Sequence, residues 1–151
     1  MNGEGNIQLN GNVETVFNNL LDPEVLKSCI MGCEELQKQG DNVYLANLSV
    51  GVAAVKGKYD ATITLSDLEP PNHYKLIVHG EGAPGFVDAE ADIYLTQLDE
   101  ENTELRYVYE AAVGGKVASI GQRMLGGVAK LIIKDFFKKI KKELEKVDIA
   151  N

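Results

Sequence analysis

The opening residues GEGNIQLNG alternate polar and apolar, with Ile7 and Leu9 on one face, which predicts a short half-buried strand. Asn12 then stands as an N-cap before VETVFNNLL, where Val13, Val16, Phe17, Leu20 and Leu21 share a helical face. Asp22-Pro23 restarts a second short helix, with Asp as cap and Pro at the first helical position, ending near Gly32. From there to past residue 110 the period is two. Tyr59, Ala61, Ile63 and Leu65 oppose Lys58, Asp60, Thr62 and Thr64, and Val87, Ala89, Ala91, Ile93 and Leu95 oppose Asp88, Glu90, Asp92 and Tyr94. Turn signals divide this middle at Gln39-Gly40-Asp41-Asn42, Lys56-Gly57-Lys58, Glu69-Pro70-Pro71-Asn72, Gly82-Ala83-Pro84-Gly85 and Asp99-Glu100-Glu101-Asn102. From Lys116 to about Val147 the pattern turns helical, with Ile120, Met124, Val128, Ile132, Phe136, Ile140 and Leu144 recurring every fourth residue. The expected order is β-αα-β6-α: about seven antiparallel strands curved around one long C-terminal helix, an α+β arrangement that buries both apolar faces.

Length and composition bound what this chain can be. At 151 residues and 44% hydrophobic it is sized for one domain, residues 1–151, with a single core. No apolar run approaches the ~18 residues of a membrane span, and Met1 to Gly11 lacks the basic and apolar segments of a signal peptide. A soluble, cytoplasmic protein is expected. The net charge of -8 is unevenly spread: residues 1–115 hold 6 Lys+Arg against 19 Asp+Glu, and residues 116–151 hold 9 against 4. An acidic body argues against nucleic acid as a partner, because affinity there comes from neutralising phosphates.

Candidate chemistry is sparse. Cys29 and Cys33, the only cysteines, are spaced C-x3-C, and His73 and His79 form no short-spaced zinc pair, so neither metal binding nor redox chemistry is expected. There is no G-x-S-x-G, H-E-x-x-H or phosphate loop. Gly80-x-Gly82-x-x-Gly85 lies between two strands and opens no helix, and alternation places His73 and His79 away from the apolar face. No catalytic residue is assigned.

Asp22-Pro23-Glu24 and Cys29-Ile30-Met31-Gly32-Cys33-Glu34 follow strand one. Val50-Gly51-Val52 and Val55-Lys56-Gly57-Lys58-Tyr59 lie mid-chain, and Val113-Gly114-Gly115-Lys116 leads to Ile120-Gly121-Gln122-Arg123. In this order the chain resembles the CoxG family, proteins similar to the CoxG subunit of carbon monoxide dehydrogenase within the helix-grip (START-related, SRPBCC) superfamily, from about residue 4 to 145. Met31 stands where the family usually has proline, which loosens that turn.

The resemblance implies a cavity between sheet and helix, and small inward residues support one: Ala46, Ala61, Gly80, Ala89, Ala91 and Ala111, with no Trp and four Phe in the chain. The alternative is a helix that uses its own Gly121, Gly126 and Gly127 to lie closer and close the gap. Strand residues Leu48, Val50, Ile63 and Leu76 and helix residues Ile120, Gly121, Met124 and Val128 complete the expected lining. Tyr44, Tyr59, Tyr107 and Tyr109 alternate inward, as ligand-facing phenols or as core residues with backbone partners. Lys134, Lys138, Lys139, Lys141 and Lys142, beside Leu131, Ile133 and Phe137, would dock the helix on an anionic membrane or a partner, or would only complement the helix dipole and solvate one side. By resemblance, the protein is an accessory, without a cofactor of its own, that links a carbon monoxide dehydrogenase-type molybdenum hydroxylase to the inner face of the membrane. It would hold a hydrophobic small molecule, a lipid or a quinone. The alternative is a small enzyme of the polyketide cyclase or hydrolase type using the same cavity.

Overall fold

The computed structural model describes the backbone of residues 1–150 and the side chains of residues 1–146. Strand β1 (Asn2–Asn10) leads into helices α1 (Val13–Leu21) and α2 (Pro23–Cys29). Both helices start where their caps dictate: Thr15 N donates to Asn12 Oδ1 at 2.8 Å and Glu24 N to Asp22 Oδ1 at 2.9 Å. Six strands follow, β2 (Cys33–Lys38), β3 (Val43–Val50), β4 (Gly57–Glu69), β5 (His73–Gly82), β6 (Gly85–Asp99) and β7 (Asn102–Gly114). They form one antiparallel sheet in the order β1-β7-β6-β5-β4-β3-β2, so the first strand closes against the last and β2 is the far edge.

Register lays the inward residues in rows across the sheet. One row runs Tyr44, Ile63, Val78, Ala89, Ala111, and the next Leu65, Leu76, Ala91, Tyr109, Gly3. The outward row holds His73 between Glu69 and Asp92, at 2.9 and 3.0 Å, with its ring stacked on Tyr94 and the Arg106 guanidinium over that same ring. Both histidines therefore decorate the outer face, as alternation predicts; His79 meets Asp88 at 2.5 Å there.

The C-terminal helix differs from its sequence expectation in two ways. Residues Lys116–Ile120 form a 3₁₀ turn, Gly121 takes φ 91°, and α3 proper runs Gln122–Ala150. The side that packs on the core is Leu125, Phe137, Ile140 and Leu144, with Ile133 and Phe136 partly buried beside it, whereas Met124 is 56% exposed. A strict interval of four turns an α-helix by about 400° per step at ~3.6 residues per turn, a drift of about 40° each time. Over six steps the expected stripe rotates off the core, so Met124 leaves it and Phe137 enters.

The core gathers at one end of the grip. Leu9, Val16, Phe17, Leu20, Leu105, Ile140 and Leu144 are buried there around Tyr74, whose ring meets Phe17 edge-on at 5.7 Å. Buried Thr103 is satisfied, its hydroxyl donating to the Gly11 carbonyl at 2.9 Å.

Candidate functional site

Packing thins along each central strand. On β6, Leu95 and Ile93 are buried, but Ala91, Ala89 and Val87 keep accessible surface although they face the helix side; on β7, Thr103 and Leu105 are buried, but Tyr107, Tyr109, Ala111 and Val113 are not. The chain supplies alanine and glycine where the larger Leu, Ile and Phe side chains would be needed to reach across to α3.

At this end an apolar cleft of about 610 Å³ opens between the first turns of α3 and a 3₁₀ turn, Ala53–Val55, that links β3 to β4. Val52, Ala53 and Ala54 form one wall; Ile120, Met124, Val128 and Leu131 form the other, with Gly127 between and Arg123 at the edge. Its size lies within the range of small-molecule sites. A second cavity of about 310 Å³ shares Ala53 and Ala54 with the first and is completed by Val55, Lys56, Ala83, Pro84, Lys116 and Val117.

The four tyrosines divide into two pairs. Tyr44 is buried in the packed half and donates to the Leu21 carbonyl at 2.6 Å; Tyr59 donates to the Val55 carbonyl at 2.6 Å, pinning the 3₁₀ turn that walls the cleft. Burial pushes both phenols above their ordinary pKa, with Asp22 adding to the effect at Tyr44. Tyr107 and Tyr109 stack on each other at 6.5 Å, Tyr107 also stacks on Phe137 at 5.6 Å, and their rings lie over Gly5 and Gly3 of the edge strand, where any Cβ would strike them. Tyr107 and Tyr109 line neither the cleft nor the smaller cavity.

The sequence model described as the carbon monoxide dehydrogenase subunit CoxG matches residues 5–145. The chain belongs to the CoxG family. Among solved structures it is similar to a conserved protein from Geobacillus kaustophilus, 60% identical over 97% of this chain and 96% of that one, with a TM-score of 0.94. The same fold, at 10% identity, is seen in a START superfamily protein from Mycobacterium smegmatis (TM-score 0.75, covering 97% and 98% of the two chains). It is seen again, at 15%, in an aromatase/cyclase from Streptomyces sp. R1128 (TM-score 0.70, covering 97% and 94%). No curated protein matches the chain.

In this CoxG-family protein the residues expected to line a cavity fall into three groups. Ile120, Met124 and Val128 line the cleft, with Gly121 supplying the break beside it. Leu76, Ala89, Ala91, Tyr107 and Tyr109 lie on the thinly packed inner face, and Leu48, Val50 and Tyr59 are half-buried toward the 3₁₀ turn. Tyr44, Ala46, Ala61 and Ile63 are buried. Sequence reasoning missed Val52, Ala53, Ala54, Arg123 and Gly127. A signal existed in the apolar run Val52-Ala53-Ala54-Val55, which sits between Gly51 and Gly57 with no strand alternation to bury it.

Lys134, Lys138, Lys141 and Lys142 are exposed on α3, and Lys139 pairs with Asp135 at 2.9 Å. Of the apolar residues expected beside them, Phe137 is buried and Ile133 packs against the core, while Leu131 turns into the cleft. No described helix is long and apolar enough to cross a membrane.

Cys29 and Cys33 are both free thiols flanking the turn at Gly32. Burial pushes the Cys29 thiol up to about 11, the nearby Glu143 carboxylate reinforcing it, and burial also raises Cys33. Thiolate is scarce at neutral pH, which suits packing and opposes nucleophilic use. Among the described residues no group of three or more His, Cys, Asp or Glu is placed to hold a metal ion.

Proposed function

We propose that this protein holds a hydrophobic small molecule, lipid-like or quinone-like, in the cleft between α3 and the 3₁₀ turn, and serves as a cytoplasmic accessory to a carbon monoxide dehydrogenase-type molybdenum hydroxylase. One observation carries the binding: the cleft is walled almost wholly by apolar side chains, two of which, Met124 and Leu131, are 56% and 49% exposed. Exposed apolar surface gathered in a concave site gains free energy on covering, about 25 cal/mol per Å². The accessory role rests on family membership, and the lysine-bearing face of α3 offers a means of peripheral recruitment to an anionic membrane.

A Nile red titration, with decylubiquinone and a long-chain alcohol as competitors, tests the binding. Gly127→Leu is the decisive variant: a Cβ there meets nothing within 4 Å, so the new side chain enters the cleft without a clash. Replacing a helical glycine also favours the helix by up to ~1 kcal/mol. The expected outcome is saturable dye binding by the wild type, displacement by a competitor, and loss of binding in Gly127→Leu with stability kept or raised. Absence of dye binding in the wild type, or an unchanged affinity in Gly127→Leu, overturns the assignment of the cleft.

Recruitment is tested separately. Reversing Lys134, Lys138, Lys141 and Lys142 to Glu is expected to abolish co-sedimentation with vesicles containing anionic lipid while leaving dye binding intact. Wild-type sedimentation should fall at high salt, because the screening length shrinks from ~10 Å at 0.1 M to ~3 Å at 1 M. Failure of the wild type to sediment at low salt removes the membrane role.

A further inference from the structure

One cation lines this cleft, two line the adjoining cavity, and no carboxylate lines either, in a chain whose acidic residues outnumber its basic ones 23 to 15. Arg123 lines the apolar cleft, and Lys56 and Lys116 both line the smaller adjoining cavity. Among the described residues ion pairs involve only Lys139, Lys146 and the two histidines, so these three charges are not neutralised by neighbours.

Both lysines are carried on anchored backbone. Lys56 follows the turn whose Val55 carbonyl accepts from Tyr59, and Gly57 beside it lies so close to Pro84 that a Cβ would strike that ring. Lys116 opens the second 3₁₀ turn: its carbonyl accepts from the Ser119 hydroxyl at 2.6 Å, and the next residue, Val117, donates its N–H to the Pro84 carbonyl at 2.9 Å. Pro84, at the tip of the β5–β6 hairpin, thus ties the two lysine-bearing turns together.

We propose that the bound molecule is a single-chain amphiphile with an anionic head, its chain lying in the apolar cleft and its carboxylate or phosphate between Lys56 and Lys116. This rests on the apolar-ligand reading above and narrows it to a chemical class. Ala53 and Ala54 line both the apolar cleft and the cationic cavity, which places the two side by side. An ammonium on a flexible stem adapts to either head group. A neutral head would gain only a hydrogen bond without the charge attraction, and a cationic head would be repelled.

The test is a head-group series on one twelve-carbon chain, by calorimetry below the critical micelle concentration: laurate, dodecyl phosphate, 1-dodecanol and dodecyltrimethylammonium. Laurate or dodecyl phosphate is expected to bind roughly tenfold or more tightly than 1-dodecanol, a charge-assisted margin, with the ammonium weakest; the tighter anion tells a carboxylate head from a phosphate. Lys56→Gln with Lys116→Gln should erase the preference but keep 1-dodecanol binding, whereas Lys141→Gln with Lys142→Gln should preserve it. Equal affinity for laurate, dodecyl phosphate and 1-dodecanol, or a preference that survives the Lys56 and Lys116 changes, overturns the head-group assignment and leaves the apolar site standing. If no member of the series binds, the apolar-ligand reading itself fails.

Discussion

Truncating Leu144 or Ile140 to Ala is expected to cost about 2–5 kcal/mol, while the same truncation of Met124 or Leu131, on the same helix, costs below ~0.5 kcal/mol. Leu144 is 1% exposed and Ile140 0%, both within the cluster formed with Leu9, Phe17 and Leu105. Removing their methyl groups loses transfer free energy and leaves a void that rigid neighbours cannot fill. Met124 and Leu131 line the cleft and already face solvent, so their truncation removes little buried area from the native state. Urea unfolding resolves the difference: at a slope of ~1–3 kcal/mol/M, the packed-end variants shift the midpoint by roughly 1 M or more and the cleft variants hardly at all. The cleft variants should instead weaken Nile red binding. Equal destabilisation of all four would mean that α3 packs along its whole length and that the cleft is closed in solution.

Gly32→Val is expected to destabilise by several kcal/mol, a large part of the ~5–15 kcal/mol that holds a domain folded. Two effects combine. The residue sits at φ 71°, a region that costs a β-branched side chain the most, and a Cβ would strike the Ser49 carbonyl oxygen, which belongs to backbone in β3 and cannot swing aside. Relief of the clash requires pulling the turn away and breaking the bond from Ser49 N to the Gly32 carbonyl at 2.8 Å. Gly126→Ala is the control, since a Cβ there meets nothing within 4 Å and the helix gains up to ~1 kcal/mol. Thermal melts of the two variants should move in opposite directions. A Gly32→Val protein melting with the wild type would show that the turn between α2 and β2 can rearrange freely.

Much of this architecture is legible locally. Asn12 and Asp22-Pro23 announce the two short helices, and period-two alternation on β4 and β6 assigns each residue a face without reference to anything distant. Once one face of a sheet is buried, a register slip would expose the whole apolar set, so the alternation specifies which face meets the helix. The same alternation puts His73 and His79 outside and Tyr107 and Tyr109 inside. The site was legible only in part. Small residues at Ala89 and Ala91 signalled space, but alternation says which side a residue faces and nothing about how far away the opposing surface lies. That distance depends on the path of α3, and its path depends on Gly121 breaking the helix and on Phe137, Ile140 and Leu144 seating the far half. The smaller cavity joins Lys56 and Lys116, sixty residues apart in the chain, brought together by the turn at Pro84. The chain by itself determined the strands, the two short helices and their faces, because those follow from periods of two and 3.6 set by backbone geometry. Only the tertiary structure decided where the grip stays open and which charges meet at its mouth, because those depend on how elements distant in the chain pack.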